Sequence, residues 1–133
     1  MRLVLLAFAA LLLTGPASAQ RARQPEWRTA AETDVLLHPF RYEPRTLRLA
    51  AGRPVLLNFV NNGRAHLSFR APGFFAAALV RRSDRRHMQG GGFRLAPGER
   101  LSIALVPARG RYRARSGYLL HRLRGMSALI IVE

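Results

Sequence analysis

Apolar and polar residues alternate with a period of two in several short runs of this chain, and glycine, proline or asparagine bounds each run. Half-buried strands joined by turns produce that pattern, so the sequence predicts an antiparallel sandwich or barrel. Leu47 and Leu49 alternate with Thr46 and Arg48, and after Ala51-Gly52-Arg53-Pro54, Val55, Leu57 and Phe59 alternate with Leu56, Asn58 and Val60. The two runs and their turn predict a hairpin buried on one side. Asn61-Asn62-Gly63 then launches a strand over 65–69, with Leu67 and Phe69 on one face and His66 and Ser68 on the other.

Past Ala96-Pro97-Gly98, Leu101, Ile103 and Leu105 alternate with Ser102 and Ala104 in another half-buried strand. The alternation is sharpest after Gly110. Arg111, Arg113 and Arg115 take the solvent face, which puts Tyr112, Ala114 and Ser116 on the inner one. The apolar run Ala128 to Val132 suits a central or terminal strand. Between Gly73 and Gly92 the period of two fails: residues 74–80 read as a short helix, and a charged loop follows, ending in Gly90-Gly91-Gly92. The fold class expected is all-β, a Greek-key β-sandwich of seven or eight strands with one short inserted helix.

The N-terminal residues add a destination. Met1-Arg2, the apolar run Leu3 to Leu13 and the small residues Ala17-Ser18-Ala19 predict a signal peptide over 1–19, cleaved before Gln20, and hence a periplasmic protein. The apolar run is too short to span a bilayer, which takes about 20 residues, so no transmembrane segment is expected in the mature chain. Residues 20–32, polar and arginine-rich around Pro25 and Trp27, predict a flexible lead-in; one domain then occupies 33–133.

Charge and composition narrow the chemistry. The chain has no cysteine, which excludes disulfides, thiolate metal sites and cysteine nucleophiles. All 22 basic residues are arginine, the acids number 7 and the net charge is +15, so the surface attracts anions. Nucleic acid is not the expected partner, because the arginines are not interleaved with stacking aromatics and an exported protein seldom meets it. No G-x-S-x-G, close carboxylate pair or phosphate-binding glycine loop occurs, and no enzymatic activity is expected.

Three metal-ligand types remain at turn-facing positions: His66 after Asn61-Asn62-Gly63, then His121 and Met126 in the segment after Ser116. Two imidazoles and a thioether suit copper better than zinc or magnesium, because thioether is a soft ligand. Ser116, His121 and Met126 are spaced S-x4-H-x4-M, with Gly125 closing the loop. His87-Met88 and His38 have no spacing that ties them to this set, and Tyr118 lies inside the loop, where it can cover the site or meet a partner.

From about Asp34 to Glu133 the chain resembles the cupredoxin family, in particular its plastocyanin-like and EfeO-type periplasmic members. The resemblance rests on Phe40-Arg41-Tyr42-Glu43-Pro44, Gly52, Asn61-Asn62-Gly63-Arg64-Ala65-His66, Leu95-Ala96-Pro97-Gly98-Glu99, Gly110-Arg111-Tyr112, His121 and Gly125-Met126, in that order. It implies that His66 and His121 match the family's two copper histidines, that Met126 matches the axial methionine, and that Ser116 stands where the family has its cysteine. A trigonal His2Cys site with a weak axial methionine is the blue-copper electron carrier, and a serine hydroxyl is no substitute for its thiolate. The resemblance therefore implies a copper-holding or copper-transfer protein with a degenerate site. The alternative is a metal-free interaction module whose arginine-rich surface binds an acidic periplasmic protein or an anionic membrane face.

Overall fold

The computed structural model describes residues 24–133; the predicted signal peptide and the first residues of the lead-in lie outside them. A single 3-10 turn at Trp27–Thr29 precedes the first strand. Ten strands follow: β1 (Ala31–His38), β2 (Arg41–Glu43), β3 (Thr46–Leu49), β4 (Val55–Asn61), β5 (Leu67–Arg70), β6 (Leu79–Val80), β7 (Gly92–Leu95), β8 (Arg100–Val106), β9 (Gly110–Arg115) and β10 (Ser127–Val132). A short helix α1 (Pro72–Ala77) separates β5 from β6, and α2 (Leu119–Leu123) separates β9 from β10. The strands form two five-stranded sheets, ordered β2-β1-β4-β8-β6 and β3-β10-β9-β5-β7.

The expected β-sandwich is present, and its core follows the alternation. Along β4 the inward positions Val55, Leu57, Phe59 and Asn61 are buried while Leu56, Asn58 and Val60 are half-buried. Phe59 of the first sheet meets Phe69 of the second with ring centroids 4.9 Å apart, and Phe93 packs on both. Offset and edge-on aromatic pairs of this kind add about 0.5–1.5 kcal/mol beyond the area they bury. In β9 the three arginines are exposed and Ala114 is fully buried, as their parity requires.

Several expectations need correction. Leu47–Phe59 is not a hairpin: β3 pairs with β10 in one sheet and β4 with β1 and β8 in the other, so the Ala51–Pro54 turn crosses between layers. Two pairings, β1 with β4 and β3 with β10, are parallel. Alternation identifies a strand's buried face but not the sheet it joins, and a hairpin turn uses the same residues as a sandwich corner. The strand predicted over 65–69 begins at Leu67, and the first strand begins at Ala31, where Ala31 pairs with Val55 of β4. Among the described residues there are ten strands and two short α-helices rather than about seven or eight strands and one helix. The predicted helix over 74–80 ends at Ala77, because Leu79 and Val80 pair with β8.

Beyond β6 the charged connection is held down by one carboxylate. Asp84, buried within a 3-10 segment (Arg82–His87), takes a two-point ion pair from Arg81 at 2.9 and 3.2 Å and a hydrogen bond from the Ala104 amide at 2.9 Å. It thereby covers Ala104 on the outward side of β8, which explains why that strand is buried on both faces there.

Candidate metal centre

The candidate site is built where β9 ends. Inward parity carries through Ala114 to Ser116, which is 1 % exposed. The chain leaves β9, forms α2 and turns back at Gly125, whose φ of +81° is the left-handed conformation that favours glycine after a helix. That turn returns Met126 to the base of the loop. Its amide donates to the His121 carbonyl at 3.0 Å, its carbonyl accepts from the Ser116 amide at 3.4 Å, and its side chain is fully buried.

Ser116 Oγ accepts from the Tyr118 amide at 3.2 Å and lies 3.4 Å from His121 Nδ1. The imidazole thus presents Nδ1 to the serine hydroxyl. Its ring is held edge-on between Phe40 at 5.2 Å and Tyr118 at 5.3 Å. Phe40 has φ of +64°, a conformation that costs a residue with a side chain, and the Arg124 guanidinium lies 4.6 Å over its ring. Strain of this sort persists where surrounding contacts fix it, and here those contacts include the site histidine.

A second set of contacts ties the loop to β5. Ser68 Oγ accepts from the Gly117 amide at 2.8 Å, and the Ser68 carbonyl accepts from the Tyr42 hydroxyl. A Cβ on Gly117 would come within 2.9 Å of Ser68 Oγ, so a larger residue here would have to displace that hydroxyl. Burial pushes the Tyr42 phenol well above its ordinary value.

His66 sits at the exposed end of the same loop cluster, just before β5. Asn61, 1 % exposed, fixes its backbone: Nδ2 donates to the Ala65 and Leu95 carbonyls at 2.8 and 2.9 Å, and Oδ1 accepts from the Gly63 amide at 2.7 Å. Gly63 in turn lies against Pro39, next to the Phe40 that touches His121. The structure therefore pairs the Ser116 and His121 side chains, joins both residues to Met126 through backbone bonds, and has His66 on an adjoining loop, with no hydrogen bond to the other three among the described residues. Among the described residues no three His, Asp or Glu side chains converge to hold a metal ion.

The remaining candidates separate from the site. His38 bonds Glu43 at 2.8 Å, His87 is exposed beside Arg86, and Met88 turns inward against the core. Sequence reasoning overlooked Asn61 and Ser68 as positioning residues. Asn61 carried a legible signal, because an amide at the inward parity of a strand must satisfy its polar atoms inside the protein.

No protein-family model matches this chain, and no curated protein matches it. Solved structures do. Reduced auracyanin from the photosynthetic bacterium Roseiflexus castenholzii superimposes with a TM-score of 0.58 at 15% identity, over 78% of this chain and 98% of that one. Auracyanin B gives 0.57 at 20% identity, over 78% and 89%. The fold is cupredoxin-like. A multi-copper oxidase from Pseudomonas thermotolerans gives 0.60 at 14% identity over 78% of this chain, but this chain spans only 29% of its length. The β9–β10 loop is bonded to β5 through Gly117 and Ser68, and His66 immediately precedes that strand.

Proposed function

We propose that this chain is an exported, periplasmic cupredoxin-like protein that holds or passes copper through His66, His121 and Met126, with Ser116 at the position of the missing thiolate. The observation that carries this reading is the pairing of His121 Nδ1 with the inward Ser116 hydroxyl at 3.4 Å, on a loop whose other end is Met126. The donor set fits copper: imidazole nitrogen is a borderline ligand and thioether favours Cu(I), while among the described residues no group of three His, Asp or Glu forms a harder site. Copper bound there would supply a Cu(I)-accepting centre without a thiolate's redox tuning.

The protein's own residues act by positioning. Phe40 and Tyr118 fix the plane of His121, Ser116 faces its Nδ1, and the buried position of Met126 keeps water from its sulfur. The exposed His66 gives the site one solvent-side ligand, which suits uptake and release. The auracyanin neighbours and the multi-copper oxidase lend support through fold alone.

Titration of the metal-stripped protein with Cu(I) and with Cu(II) tests the reading. Saturable uptake of one ion per chain that disappears in His66→Ala and His121→Ala is the expected result. Absence of saturable uptake would leave the metal-free interaction module as the better account.

A further inference from the structure

The outward faces of the two sheets differ in charge. On the β1-β4-β8 face, Glu32 and Asp34 accept from Asn58, which accepts in turn from Ser102, so the acids are tied into a local polar network. The opposite face carries Arg48, Arg70, Arg94, Arg111, Arg113 and Arg115. Arg122 joins Arg113 and Arg115 around one groove, and Arg124 joins Arg113 around another. Among the described residues, only Arg48 of these has a carboxylate partner, Glu133 at 3.7 Å.

One edge of this basic face carries a separate feature. Leu119, Leu120 and Leu123 of α2 are 63 %, 59 % and 74 % exposed. At about 100° per residue they cluster on one side of the helix, with His121 turned the other way toward Phe40, Tyr118 and Ser116. Folding gains nothing from leucines left in water, and an apolar cluster rimmed by charge marks a binding surface.

We propose that α2 and the arginine face of β9 dock this protein on an anionic membrane surface, the leucines entering the boundary of the acyl region and the arginines resting on lipid phosphates. The arrangement fits an extended plane better than a compact partner. Arg111 to Arg115 alone spread about 13 Å along β9, and Arg48 and Arg70 widen the charge across neighbouring strands. Leucine and arginine side by side are the pairing that peripheral segments use at a lipid interface. The surface involves no metal and stands whether or not copper binds.

Co-sedimentation of the purified mature protein, beginning at Gln20, with vesicles tests the proposal. Vesicles of equal phosphatidylglycerol and phosphatidylcholine should retain the protein, phosphatidylcholine alone should not, and raised salt should release it. The double variants Arg113→Ser/Arg115→Ser and Leu120→Ser/Leu123→Ser should each weaken partition by about tenfold or more, with an unchanged melting temperature because all four side chains are exposed. Equal binding to neutral vesicles, or undiminished binding of both variants, would overturn the proposal. So would salt-sensitive capture by soluble polyglutamate without vesicle binding, which would assign the face to an acidic protein, or self-association that the leucine variant abolishes.

Discussion

Two of the connections that contain a short helix or 3-10 turns use their polar atoms differently. The segment from β6 to β7 is anchored by Asp84, a buried carboxylate satisfied by Arg81 and the Ala104 amide. The segment from β9 to β10 has no carboxylate at all; weaker neutral bonds hold it, and they converge on Ser116, His121 and the backbone of Met126. It also leaves three leucines in water. The first segment ties down a charged connection, while the second holds an imidazole beside an inward serine hydroxyl and leaves its leucines exposed.

The comparison breaks first at Asp84. Asp84→Ala leaves the Ala104 amide without its acceptor and Arg81 without its partner, and should cost about 2–3 kcal/mol, discounted from a fully buried pair because Arg81 is partly solvated. Denaturant unfolding followed by circular dichroism measures the loss, and copper uptake per folded chain should not change. Equal damage to uptake would erase the distinction between the two segments.

A smaller effect is expected at Tyr42, which supports the second segment through the Ser68 carbonyl. Tyr42→Phe should cost about 1–2 kcal/mol, the net worth of a buried hydrogen bond and the orphaned carbonyl. The phenol also sets a pH dependence. Its folded-state value is raised by burial above the ordinary 10.0, so its contribution is complete below pH 10.0 and is lost as the pH rises further, because the unfolded chain ionises first. Melting temperature should fall above that pH in the native protein and fall less steeply in Tyr42→Phe.

Much of this architecture was legible in sequence. The parity of Val55–Phe59 and of Arg111–Ser116 specified buried faces correctly, including the inward serine, since a strand's period of two leaves no freedom there. Sheet membership was not legible. The Ala51–Pro54 turn has hairpin chemistry yet crosses between layers, a choice made by long-range pairing with β10. β6 is two residues long and α2 five, too short for periodicity to register. Of the candidate loop, the inward Ser116 and the closing Gly125 were legible, whereas the exposure of His66 depends on how Asn61 folds its loop.

Restoring the thiolate tests the central claim most directly. Ser116→Cys places sulfur where the hydroxyl now faces His121 Nδ1, and with Cu(II) the folded variant should develop the intense visible absorption of a copper-thiolate bond, lost again in Ser116→Cys/His121→Ala. A folded Ser116→Cys protein that stays colourless with Cu(II) would contradict the account, because residues 66, 116, 121 and 126 would then not converge on one ion.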